Sequence, residues 1–220
     1  MNNIDERVVW GTICSCGEEC FVLQTELHPW NEHECSLEVE CRKCKGVNLI
    51  DKDAAEKYYN SKISSCFAEL RGTVVDYGCG GGFMTEMNLD NGDITRVYSI
   101  DIDPVCLESF SSINDSRVTF ILGDYNDLKK VDSSIDELIS RDVIMFIDKP
   151  VEFVEVLTGT IGKRIRLMAW YNPSLGRMTN HLTPQQWQEL FSDYGWKVKV
   201  EALEWYKYGY FIDCIREEVS

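Results

Sequence analysis

The feature that most narrows what this chain can fold into is a glycine loop, Gly72-Thr73-Val74-Val75-Asp76-Tyr77-Gly78-Cys79-Gly80-Gly81-Gly82-Phe83. A β-branched run that ends in an acid reads as a strand. Glycines directly behind it let the backbone turn tightly and approach a ligand with no Cβ in the way. Two better-known glycine loops are excluded by single positions. The dinucleotide fingerprint needs glycine or alanine where Phe83 stands, and the phosphate loop needs a Gly-Lys-Ser/Thr that is absent. What remains is an Asp-x-Gly-x-Gly-x-Gly turn after a first strand, with a helix expected from Phe83.

Three further segments end in the same way. Arg96 to Asp101 is a strand ending in an acid. Val118 to Leu122 leads through Gly123 to Asp124, and Ile135 to Ser140 opens through Arg141 into Asp142. Acids gathered at the carboxyl ends of successive strands mark the ligand edge of an open parallel sheet, and an acid on the second tip can accept both hydroxyls of a ribose. The flanking segments fit. Asp53 to Leu70 has helical spacing, with Tyr58, Tyr59, Ile63, Cys66, Phe67 and Leu70 on its apolar side. Ile165 to Tyr171 predicts a fifth strand. Thr183-Pro184-Gln185-Gln186 predicts a helix start, with Thr183 as cap, Pro184 in the first turn and Gln186 closing a capping box. Gly195 should end that helix, and Trp196–Ala202 with Tyr208–Arg216 should form a closing strand pair whose aromatics belong to the core.

In this order, the landmarks make the chain resemble the class I S-adenosylmethionine-dependent methyltransferases over about residues 53–220. The resemblance implies an α/β fold, a three-layer sandwich with a mostly parallel seven-stranded sheet whose last strand is antiparallel. It implies S-adenosylmethionine as cofactor, with Gly78, Cys79, Gly80 and Gly82 against its methionine part. Asp101 would hold the ribose hydroxyls, Asp124 would face the adenine amino group, and Asp76 would reach the donor's amino group indirectly. Ile102, Tyr125 and Ser140 complete the implied donor site. Ser140 to Asp148 resembles the stretch after the fourth strand in the small-molecule branch that includes ubiquinone-type methyltransferases. That branch commonly carries a Leu-x-Pro-Gly-Gly turn before the fifth strand, and this chain has Thr158-Gly159-Thr160-Ile161-Gly162 instead.

Methyl transfer from a sulfonium is an in-line displacement, so the protein mainly positions and desolvates the reactants. A general base is needed only when the acceptor atom is protonated at neutral pH. Asp142, just past the fourth strand, is the first candidate, followed by Tyr171 and His181 beside the expected acceptor-side loop. Asn172-Pro173-Ser174-Leu175 lacks the second proline and the aromatic of nucleobase amino-methylation. Cys106 reads as a helix-packing residue, and Cys79 as a small filler.

The front of the chain obeys a different rule. Six of its ten cysteines, Cys14, Cys16, Cys20, Cys35, Cys41 and Cys44, fall in the first fifth. Cys14-Ser15-Cys16-Gly17 and Cys41-Arg42-Lys43-Cys44-Lys45-Gly46 flank two strand-like segments, Cys20–Leu27 and Ser36–Glu40, which is a zinc-ribbon layout. Closely spaced thiolates on a turn can point at one ion, and four close a tetrahedral structural site. Cys14, Cys16, Cys41 and Cys44 are the expected Zn2+ ligands, with Cys20, Cys35, His28 and His33 as alternatives. Two domains are expected, a cysteine-rich module over residues 1–50 and a methyltransferase domain over 51–220. The polar, acidic N-terminus lacks a signal-peptide layout, so a metal site in a reducing cytoplasm is favoured over disulfides.

Charge sharpens the expected partner. The net charge is −15, and residues 1–50 hold nine acids against four bases. That balance argues against nucleic acid and anionic membranes, and no apolar run approaches the roughly 18–20 residues of a membrane helix. Trp170, Tyr171, Trp187, Trp205 and Tyr206 lie in or near expected acceptor-side segments, and aromatic walls suit a small, partly apolar acceptor. The function expected is O-, N- or S-methylation of a small molecule. The alternatives are methylation of tRNA or rRNA, and a non-catalytic scaffold whose ribbon recruits a protein partner.

Overall fold

Strands buried on both faces need near-continuous apolar sequence, and the runs after residue 70 supply it. The computed structural model describes residues 9–23, 36–131, 134–176 and 178–216. Its main sheet is built from β5 (Gly72–Tyr77), β6 (Ile94–Asp101), β7 (Val118–Leu122), β8 (Ile135–Arg141), β9 (Ile161–Trp170), β10 (Trp196–Ala202) and β11 (Gly209–Arg216). The spatial order is β10-β11-β9-β8-β5-β6-β7, and the last strand is antiparallel, as the resemblance implied. The parallel register sets Val75 opposite both Tyr98 and Leu138, and Ser140 opposite Leu167. The strand order reverses between β5 and β8, which places the switch point behind the glycine loop.

The crossovers are α2 (Phe83–Asn88), α3 (Cys106–Phe110), a 3-10 segment (Tyr125–Lys130), α4 (Pro150–Thr160) and α5 (Pro184–Asp193). Phe153, Leu157, Ile165, Leu167, Trp187 and Ile212 are wholly buried in the core they cover. α5 starts as its sequence dictates. The Thr183 hydroxyl accepts from Gln186 N–H, and the Gln186 side chain accepts from Thr183 N–H. The missing Pro-Gly-Gly turn has a structural consequence: α4 runs to Thr160 and β9 begins at Ile161, with no residue between. β9 therefore starts four residues before the expected Ile165. Its early charges are matched across the sheet, Lys163 with Asp136 at 2.8 Å and Arg164 with Asp213 at 2.7 Å.

The first unit is two hairpins and a helix. β1 (Val9–Ile13) pairs with β2 (Glu19–Leu23), and β3 (Ser36–Glu40) pairs with β4 (Val47–Asp51), both antiparallel. α1 (Lys52–Cys66) follows directly and packs on β1. It stops before the expected Leu70, and Glu69 turns into the left-handed region at φ 62°. Trp10, Ile50 and Ala55 form a small buried cluster. Chain contacts divide the molecule into residues 1–66 with 202–209 and residues 67–201 with 210–220, so α1 groups with the hairpins. His28, His33 and Cys35, and the end of the expected Cys20–Leu27 strand, lie outside the described residues. Among the described residues, no helix is long and apolar enough to cross a membrane.

Candidate active site and metal centre

The carboxyl edge of the sheet gathers most of the residues singled out in the sequence. Gly78, Gly80 and Gly82 all have positive φ, 70°, 51° and 92°, which glycine alone adopts without strain. At Gly78 the space is closed as well, since a Cβ would sit 2.2 Å from Val143. At Gly80 a Cβ would meet nothing within 4 Å, so the crest of the loop is open. The loop is fastened from the next strand: Gly78 N–H donates to Ile100 O at 2.8 Å, and Gly80 N–H donates to Asp101 Oδ2 at 2.8 Å. The other Asp101 oxygen accepts from Asp103 N–H at 2.9 Å. Asp101 thus ties the β6 tip to the loop.

Asp76 is buried below the loop. Its Oδ2 accepts from the Thr85 hydroxyl at 2.7 Å, and Thr85 shares a second bond of 2.8 Å with Ser99. Burial is the main cause that pushes its carboxyl up to about 6. Asp124 caps the 3-10 segment, its Oδ1 accepting from Asn126 N–H at 2.8 Å. Ile102 is 73% exposed beside Asp101, whereas Tyr125 is buried edge-on against Phe153. The Ser140 hydroxyl donates to Tyr77 O at 2.7 Å and so locks β8 to β5. Cys79 is buried, and burial raises its thiol far above the usual range, which fits a filler and not a nucleophile.

The three candidate bases fall in different surroundings. Asp142 sits at the β8 tip in the left-handed region, φ 62°, with its N–H donating to Met168 O at 2.8 Å. A non-glycine residue held there costs of order 1–3 kcal/mol, and such strain collects at functional sites. Its carboxylate lies 4.0 Å from the Arg141 guanidinium. Tyr171 is half-buried against the core. His181 is exposed in the loop before α5.

Sequence reasoning missed three residues. Arg141 lies 4.9 Å over the Phe83 ring and is the first charge to lower the Asp76 pKa. Thr85 holds Asp76. Asn180 is buried and donates to Ile144 O and Ile147 O, both at 2.8 Å, which fixes the loop before α5 to the segment after β8. Tyr210 is buried in the core, as read. Only Arg141 left a signal, as a cation breaking an apolar strand beside the suspected acid.

In the first unit the Sγ atoms of Cys14, Cys16, Cys41 and Cys44 all lie within 4.8 Å of one another. Cys14–Cys44 is 3.5 Å and Cys16–Cys41 is 3.6 Å. Tetrahedral zinc with thiolates at about 2.3 Å needs sulfurs about 3.8 Å apart, so this spacing fits the ion. The Cys44 N–H points at Cys41 Sγ at 3.5 Å, and backbone donors of this kind lower the Cys14 and Cys41 thiols, Cys14 to about 6. Cys20 stands outside the group, its thiol held by Glu18 O at 3.8 Å and pushed up to about 11 by burial.

Residues 75–159 match the family model of the methyltransferase domain. Over those residues the chain carries a methyltransferase domain, and the sheet order and the glycine loop fit the class I, S-adenosylmethionine-dependent fold. No curated protein sequence matches it. Among solved structures, it is similar to a chain of the complex between the Haloferax volcanii Trm112 methyltransferase activator and a methyltransferase. That match has 16% identity and a TM-score of 0.62, and covers 76% of this chain and 93% of that one. It is also similar to an S-adenosylmethionine-dependent methyltransferase from Aquifex aeolicus, with 18% identity, a TM-score of 0.57 and coverages of 71% and 88%. A third is the magnesium protoporphyrin IX methyltransferase of Synechocystis with bound S-adenosylmethionine, with 17% identity, a TM-score of 0.55 and coverages of 76% and 81%. At these identities the likeness speaks for the fold.

Proposed function

We propose that this protein transfers a methyl group from S-adenosylmethionine to a small-molecule acceptor, and that a structural zinc ion holds its cysteine-rich unit. The observation that carries the donor site is the open crest at Gly80 flanked by the acids of adjacent strand tips. Gly78, Cys79, Gly80 and Gly82 would lie against the methionine part, with Asp76 and Ser140 shaping the floor. Asp101 and Ile102 would take the ribose side, and Asp124 and Tyr125 the adenine side. An edge rich in carboxylates suits a ligand that carries a sulfonium and an ammonium. When bound, the donor supplies an electrophilic methyl group. The chain positions the acceptor, excludes water and, where the acceptor atom carries a proton, takes it at Asp142, Tyr171 or His181.

Isothermal titration tests the donor site. S-adenosylmethionine or its demethylated product is expected to bind at about micromolar strength, and Asp101→Ala to weaken it about tenfold or more, since a charged hydrogen-bonding group is removed. Protein that binds neither ligand would sink this reading. The fit of the four sulfurs supports zinc at Cys14, Cys16, Cys41 and Cys44. Elemental analysis of protein prepared without chelator should find about one zinc per chain. A second reading is a domain that works with a protein partner, favoured by the structural likeness to a methyltransferase bound to an activator. Donor binding with no methylated product across wide acceptor screens would select it.

A further inference from the structure

We propose that Arg141 holds the α-carboxylate of the methyl donor, in a two-pronged guanidinium–carboxylate pair at the exit of the glycine loop. The inference rests on the donor site proposed above and deepens it, since that reading gives partners to the donor's sulfonium and ammonium but none to its carboxylate.

The β8 tip is pressed against the glycine loop at two points. At the start of the loop, a Cβ on Gly78 would sit 2.2 Å from Val143. Beyond its last glycine, the Arg141 guanidinium lies 4.9 Å over the ring of Phe83, the first residue of α2. A cation over an aromatic face is held there by the ring quadrupole, so the guanidinium is set in place before a ligand arrives. The Arg141 side chain is 26% exposed, withdrawn from bulk water without being sealed from it. Its charge also reaches the floor of the site. Burial raises the Asp76 carboxyl, and the Thr85 hydroxyl and then Arg141 offset part of that rise.

The neighbouring acid does not engage this fork. The Asp142 carboxylate stands 4.0 Å from Arg141 Nε, outside hydrogen-bond distance. An engaged fork in the same domain looks different: Arg164 grips both oxygens of Asp213, at 2.7 and 2.8 Å. Asp76, Asp101, Asp124 and Asp142 stand at or just beyond the strand tips. They suit a sulfonium and an ammonium, but each is a like charge to a carboxylate. A carboxylate entering this edge needs a cation, and a planar guanidinium matches its two oxygens. The contacts of the β8 tip run to the glycine loop and to the residue behind it, the side assigned to the donor's methionine part. That places the fork on the donor's own carboxylate and not on an acid carried by the acceptor.

Calorimetric titration of the full chain tests the pair with two ligands that differ by one group. One is the demethylated donor, S-adenosylhomocysteine. The other is its decarboxylated form, which keeps the adenosine, the thioether and the ammonium. Wild-type protein should bind the decarboxylated form about tenfold or more weakly, the scale of one lost charge-assisted pair. Arg141→Gln should weaken S-adenosylhomocysteine by a similar factor. It should leave the decarboxylated ligand unchanged or slightly tighter, which also shows that the variant is folded. Arg141→Lys, which keeps the charge but not the fork, should fall between the two. Equal affinities of wild type and Arg141→Gln for S-adenosylhomocysteine, or an equal loss for both ligands, would overturn the assignment and leave the donor reading standing. A rise in the acceptor's KM in Arg141→Gln with donor affinity unchanged would move the fork to an acceptor carboxylate and overturn it as well. Wild-type protein that binds neither ligand would overturn the donor reading itself.

Discussion

Asp76 shows how a single buried acid couples the site to pH. Burial lifts its carboxyl from the ordinary 3.8 to about 6, against the lowering effect of the Thr85 hydroxyl. A folded-state pKa raised in this way favours the protonated form. Its stabilisation is complete below about 3.8 and is lost as pH rises through about 6. Thermal midpoints of the ligand-free protein should therefore fall across that window, and Asp76→Asn, which keeps an acceptor for Thr85, should flatten that part of the profile. A profile identical in both proteins would show that Asp76 does not titrate there. Asp76 and Asp101 were legible in the sequence because each ends an apolar run before a loop. Their partners were not. Thr85 looks like any helical threonine, and the bond from Gly80 to Asp101 joins residues 21 apart that only the parallel register makes neighbours.

Whole elements were easier to read, because their signals are local. The capping box at Thr183 and Gln186 sits where Thr-Pro-Gln-Gln put it, and Thr183→Ala should cost about 1 kcal/mol. Urea unfolding should register that as a lower midpoint with an unchanged slope. Gly195 at φ 78° ends the same helix, again as read. Boundaries moved where a turn was supplied by packing, as at Glu69, or was missing altogether, as between α4 and β9. The cysteine hairpins make a sharper prediction. A two-stranded hairpin is marginal alone, and the buried cluster of Trp10, Ile50 and Ala55 is small. The four thiolates around one ion would supply the remaining stabilisation. Chelation, or Cys41→Ser, should therefore abolish hydrogen-exchange protection in β1 to β4 while β5 and β8 stay protected. Full protection of β1 to β4 in metal-free protein would refute a structural metal.

At the scale of the whole molecule, the question is which partner the surface charge admits. A net charge of −15 repels a polyanion, and RNA binding draws much of its strength from releasing counterions onto a basic face. The densest basic run of the main domain is Lys163-Arg164-Ile165-Arg166, and each of its charges faces an acid, with Arg166 buried and Lys163 largely exposed. Lys163 meets Asp136 at 2.8 Å, and Arg164 forms a two-pronged pair with Asp213 at 2.7 and 2.8 Å. Arg166 is buried against Glu137 at 2.7 Å and also donates to Ala68 O. A run that looks like a phosphate contact in one dimension is a set of ion pairs in three, and two of its three cations are largely withdrawn from solvent. Freeing Arg166 for phosphate would leave Glu137 buried beside an empty partner, which is strongly unfavourable. Gel-shift titration with total tRNA and rRNA fragments at low salt should therefore show no discrete complex. Any weak retention should lack the steep salt dependence that several phosphate contacts impose. Tight binding that disappears with modest salt would reverse the choice of acceptor. It would also mean that the nucleic acid recruits a basic face other than this one.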